Sequence, residues 1–110
     1  MKNVLFATDT CKEAIMFMEE LGNMLCEKQI PFDFDKHRMT IKTNDFLIVF
    51  VPKTSSHSGL FQRHPFDYYI FTGYARWEEH GFHKLCISRT KIGAKEIDDM
   101  DELIRLLSEE

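Results

Sequence analysis

No stretch of this sequence approaches the roughly 20 consecutive apolar residues that a membrane-spanning helix requires. Its Phe46-Leu-Ile-Val-Phe-Val51 run is six residues long, a length that suits a strand. Cysteine is scarce and odd in number: Cys11, Cys26 and Cys86 lie far apart. That spacing excludes a disulfide framework and reads as free thiols in a reducing compartment. Glycine is scarce too, with five residues, and none falls in the glycine-rich, Lys-Ser/Thr-terminated pattern that cradles a nucleotide phosphate. One Lys precedes a short apolar run ending at Thr8, too little for a secretory leader. Internal repeats, low-complexity tracts and linkers are also missing. The expectation is a soluble, cytoplasmic protein.

What is present is the composition of a packed globule. The 110 residues are 44% hydrophobic and 13% aromatic, with ten Phe, which excludes a disordered chain. That length forms one domain, 1–110, able to bury a core without staples. The net charge of −4 is unevenly spread. Residues 53–95 carry seven Lys/Arg and four of the five His against three acids, whereas residues 96–110 carry seven acids against Arg105 alone. The basic middle could meet an anionic partner, nucleic acid included, although ordinary solvated surface explains it as well.

Asn3 to Thr8 reads as a strand. Thr10 with Glu13 forms a capping box, and Ala14, Phe17, Met18, Leu21, Met24 and Leu25 recur at helical spacing to about Lys28. Ile30-Pro31 closes that helix. Three short strands follow: Phe32 to Asp35, Met39 to Thr43, and the uniformly apolar Phe46 to Val51, which suits a central strand covered on both faces. Residues 52–66 form a long polar loop with Leu60 and Phe61 in its middle. Next come a strand at 67–72, one or two helical turns over 74–80, a last strand Lys84 to Ser88 and a basic turn Arg89-Thr-Lys91. A C-terminal helix follows, with Met100, Leu103, Ile104 and Leu107 on one face and Asp99 and Glu102 at its start. The fold class is α/β (with α+β as the alternative): a mixed sheet with a β-meander or hairpin insertion and two main helices.

The segment Asp67-Tyr-Tyr-Ile-Phe-Thr-Gly-Tyr74 is a buried-type strand followed by Thr72 and Gly73. A nucleotide-hydrolysing enzyme commonly places an acid pair there to handle Mg²⁺ and water. Element order resembles the middle portion of phage terminase and helicase-type ATPase cores over about residues 3–90. Leu5-Phe-Ala-Thr8 resembles the strand that leads into a helix, and Met39 to Val51 the hairpin. Asp67 to Phe71 resembles the approach to the acid pair, and Ile87-Ser88 a later strand end. The pattern departs at every catalytic place, with no phosphate loop, Thr72-Gly73 in place of the acids, and no evident arginine finger. The resemblance implies a related fold without the activity, hence no enzyme and no cofactor.

Other constellations are weaker. His80 and His83 with Cys86, completed by His57 or His64, could ligate zinc, but the spacing matches no strong signature. A nuclease pairing of Asp45 with an acid-x-Lys53 motif meets Val51 where the acid is needed. Cys86 beside His83 could be a nucleophile, yet Cys86 reads as a buried strand residue. The aromatic and basic residues near Phe61-Gln-Arg-His-Pro-Phe66 and Tyr74-Ala-Arg-Trp77 suit partner contact, with Phe66 and Trp77 read as capping the core. If the strands ending at Val51 and Thr72 are parallel, their outgoing loops share one sheet edge, where open α/β sheets bind ligands. Lys53, His57, Arg63, His64, Tyr74 and Arg76 would then form one binding patch beside the apolar pair Leu60 and Phe61. The expected function is non-catalytic docking on a protein partner by a phage or mobile-element accessory protein, for example an inhibitor of a host defence nuclease. The alternative is a nucleic-acid-binding module using residues 53–95.

Overall fold

Val4-Leu-Phe-Ala7 forms the centre of strand β1 (Lys2–Thr8) in the computed structural model, which describes residues 1–55, 61, 65–77 and 81–109. All four side chains are buried because β1 lies between two parallel neighbours and both sheet faces are covered. Val4 and Phe6 join the core on one face, and Leu5 and Ala7 join the core on the other.

Helix α1 (Cys11–Glu27) follows, then β2 (Asp33–Asp35), β3 (Thr40–Lys42) and β4 (Phe46–Pro52). Strand β5 (Phe66–Phe71), helix α2 (Gly81–Ser88), strand β6 (Thr90–Glu96) and helix α3 (Met100–Ser108) come after these. The six strands run in the order β2-β3-β4-β1-β5-β6. β2, β3 and β4 pair antiparallel, whereas β4, β1, β5 and β6 are parallel. This single mixed α/β sheet is the expected class. Helices α1 and α3 cover one face, with Met18, Leu21, Leu25, Leu103 and Leu107 against Phe6, Ile48 and Phe50. On the other face Phe82 and Cys86 of α2 pack against Leu5, Val49, Val51 and Phe71.

Thr10 caps α1 as expected, and the acidic start of α3 supplies a cap in Asp99. Thr10 Oγ1 accepts the Glu13 N–H at 3.1 Å, and Asp99 Oδ1 accepts the Glu102 N–H at 2.8 Å. Helix α1 ends as Gln29 turns to a left-handed φ of 57°. That turn lets the Ile30 N–H reach the Leu25 carbonyl at 2.9 Å.

Two expectations are corrected. Lys84 to Ser88 belongs to helix α2, not to a strand, so Ile87-Ser88 ends a helix and cannot match a strand end. The cause is that Phe82, Leu85 and Cys86 recur at helical spacing, and Phe82 and Cys86 bury on the sheet. The last strand is β6, which contains Lys91 of the supposed basic turn. It is an edge strand with little apolar alternation. Its Lys91 to Ala94 segment bulges opposite Asp67, with Gly93 at a φ of 84°, leaving Ile92 at 107% relative exposure.

Candidate functional site at the C-terminal edge of the sheet

β4, β1 and β5 are parallel, so the chain leaves all three at one edge. β4 leads into a 3-10 turn, Lys53–Ser55, and β5 into another, Gly73–Arg76. Between them β1 passes to α1 through Asp9 and Thr10 alone.

This short turn is braced from within. Thr8 Oγ1 donates to the Thr10 carbonyl at 3.1 Å, and Thr72 Oγ1 donates to the Ala7 carbonyl at 3.1 Å. Both threonines are buried, so their hydroxyls serve the main chain. Gly73 has a φ of 56°, and a Cβ built there would stand 2.5 Å from Asp9 Oδ2 and 3.7 Å from Glu13 Oε2. Glycine is favoured at that point by its backbone angle, and a Cβ there would also displace the Asp9 carboxylate. The start of α1, whose dipole attracts anions, thus already faces two carboxylates of its own chain.

Arg76 braces the neighbouring turn. Its Nε donates to the Phe71 carbonyl at 2.8 Å and its NH2 to the Asp98 carbonyl at 3.3 Å, tying the end of β5 to the approach to α3. The His83 ring stacks on Phe71 with centroids 4.2 Å apart, and its Nδ1–H donates to the Ala75 carbonyl at 2.8 Å. Trp77, directly after the turn, is 61% exposed. Beside these residues, α1 and α3 border a cleft of about 460 Å³ that includes Phe17, Glu20, Arg76, Met100 and Asp101.

The expected residues divide. Lys53 and Arg76 are exposed at the shared edge, and the backbone of Tyr74 lies in the second turn. His57, Leu60, Arg63 and His64 lie outside the described residues, as do His80 and the Tyr74 side chain. Phe61 requires correction. Its side chain is 0% exposed, 6.4 Å from the Phe66 ring and 6.0 Å below the Arg89 guanidinium, within the core of the α2 face. Burial against Leu5, Val49 and Phe66 removes it from any contact surface. Trp77 is corrected in the other direction, because it stands out from the core instead of capping it. Among described residues, the carboxylates of Asp9, Glu13, Glu20, Asp99 and Asp101 also lie at this edge, with Lys53 and Arg76. Glu13 and Glu20 share one stripe of α1, but Asp9, Asp99 and Asp101 join them only through the packing of α1 and α3, so no spacing in the sequence signals that acidic side.

Cys86 is buried, and loss of solvent pushes its thiol up to about 12, far from a nucleophile's range. Asp67 stands at the opposite end of the sheet, accepting the Asn3 N–H and the Lys91 ammonium at 2.8 Å each.

These features define an open α/β domain built on one six-stranded mixed sheet. No protein-family model matches the sequence, and no curated protein does either. Among solved structures, it is similar to the large terminase of a thermophilic bacteriophage, determined in complex with ADP. The TM-score is 0.58 at 20% identity, over 88% of this chain and 25% of the terminase chain. The likeness is one of fold, consistent with the resemblance in element order, and this chain spans about a quarter of the terminase's length.

Proposed function

We propose that this chain is a non-catalytic docking protein that binds a protein partner through the C-terminal edge of its sheet. The observation that carries this reading is Trp77, the sequence's one tryptophan, exposed at the edge where α/β sheets place their ligands. Tryptophan is among the residues that most often dominate binding energy in protein interfaces. Arg76 holds the preceding turn in place through two main-chain carbonyls, so Trp77 is presented from a braced support.

The terminase to which the fold is similar was determined with ADP, and a nucleotide is the obvious rival ligand. Three features oppose it here. The β1–α1 turn is too short to wrap a phosphate, Asp9 and Glu13 would repel one, and Thr72 and Gly73 offer no carboxylate for Mg²⁺. An accessory role in a phage or mobile element, inhibition of a host defence nuclease included, suits a compact α/β domain whose fold is similar to part of a phage terminase. Nucleic-acid binding is the second reading, favoured by exposed Lys84, Lys91 and Lys95 on α2 and β6.

The test is photo-cross-linking in the cells that carry the protein. Benzoylphenylalanine in place of Lys53 should trap a discrete protein adduct, and the same group in place of Phe34 on β2 should not. Trp77→Ala should remove the Lys53 adduct while leaving the melting temperature unchanged. An adduct indifferent to Trp77, or trapped only from Phe34, overturns the proposal.

A further inference from the structure

We infer that the cleft between α1 and α3 receives a basic side chain, Lys or Arg, from the same partner that covers Trp77. This inference rests on the docking reading. Two independent properties of the cleft define its occupant. The first is an apolar floor, lined by half-buried Phe17 and Met100 and by fully buried Phe6 and Ile70. Met16, on the adjoining face of α1, is a further exposed apolar side chain at 52%. The second is an acidic rim. Glu20 rises from α1 and Asp101 from α3, both exposed, and Asp99 adds a third carboxylate.

Arg76 forms one wall, but its Nε and NH2 are directed at the Phe71 and Asp98 carbonyls. Three carboxylates against one guanidinium leave the cleft with a negative field. A long basic side chain satisfies both properties at once. Its methylenes lie over Phe17 and Met100 while its charged end reaches Glu20 and Asp101. An apolar side chain would satisfy only the floor and would desolvate the rim without a counter-charge. An acidic side chain or a phosphate would meet like charge at short range. Continuity supports a shared partner, because Arg76 lines the cleft and Trp77 is the next residue. A segment lying across Trp77 therefore reaches the cleft mouth within one or two residues.

The probes are three short amidated peptides: Leu-Arg-Leu-Arg, its citrulline counterpart and Leu-Glu-Leu-Glu. Binding is followed by NMR at the Met100 methyl group and the Gly73 amide. The arginine peptide should shift both signals saturably, the citrulline peptide should bind about tenfold more weakly, and the glutamate peptide should shift neither. Glu20→Gln with Asp101→Asn, both at exposed positions, should weaken the arginine peptide about tenfold and leave the melting temperature in place. Equal shifts from all three peptides, shifts away from the cleft, or indifference to the double substitution would overturn the inference. The Lys53 cross-link separates the two levels. If the adduct survives the double substitution, docking at the edge stands and the basic-side-chain inference falls. If no adduct forms in the unaltered protein, the docking reading falls whatever the peptides do.

Discussion

Asp67 joins three strands through one carboxylate. It lies in β5, its Oδ2 accepts the Asn3 N–H of β1, and its Oδ1 accepts the Lys91 ammonium of β6. Partial burial disfavours the charged form, but Lys91, the Asn3 amide and Lys2 together outweigh it, holding the carboxyl below its ordinary 3.8. A depressed folded-state value means the contribution is complete well above pH 3.8 and is lost as pH falls through the folded value. Asp67→Asn should therefore cost about 1 kcal/mol at pH 7, with Lys91 half exposed, and much less at pH 3. Urea titrations at the two pH values check it. Phe61→Ala should cost about 3–5 kcal/mol in the same measurement, as expected for emptying a buried aromatic site. Thiol reactivity gives a third check. Iodoacetamide should label exposed Cys11 and Cys26 in the native protein and reach Cys86 only in denaturant.

At the scale of elements, two positions with nearly the same backbone angle should respond oppositely to substitution. Gln29 holds a φ of 57° after α1 and Gly73 a φ of 56° after β5. Gln29→Gly removes a side chain from a left-handed cap and should stabilise by about 0.5–1 kcal/mol. Gly73→Ala adds a Cβ against the Asp9 carboxylate and should destabilise by about 1 kcal/mol or more. Thermal unfolding of the two variants reads both signs. The elements legible in the sequence are those whose patterns are enforced by burial. β1 and β4 bury both faces and so read as unbroken apolar runs, while α1 and α3 carry one apolar stripe and a capping residue. The segment 81–96 misleads because its burial is sparse. Helix α2 buries only Phe82 and Cys86, and β6 has no buried residue to mark its phase. Leu85-Cys-Ile87 therefore reads as a strand, and the real strand reads as a turn. The shared edge for the loops after β4 and β5 is legible because it follows from two parallel central strands. The acidic side is not, since Asp9, Glu20 and Asp101 come together only when α1 and α3 pack on the same sheet face.

At the scale of the whole molecule, the charge is divided by position as well as by sequence. Acids collect at the C-terminal edge, while Lys84, Lys91 and Lys95 sit exposed on α2 and β6. Nucleic acid binding through that basic side should be weak at low salt and lost near physiological ionic strength, because few phosphates can be neutralised. Fluorescence anisotropy of a labelled duplex across a salt series measures this, and sub-micromolar binding at about 150 mM salt would favour the nucleic-acid reading. The central claim is that the start of α1 is closed to phosphate by its own turn and acids, leaving the edge around Trp77 for a protein. Titration of the isotope-labelled protein with Mg·ADP, followed at the Thr10, Cys11 and Gly73 amides, tests that claim most directly. The account predicts no saturable shift at millimolar nucleotide. A saturable shift of those three amides, lost on removing Mg²⁺, would show a nucleotide seated at the edge and contradict it.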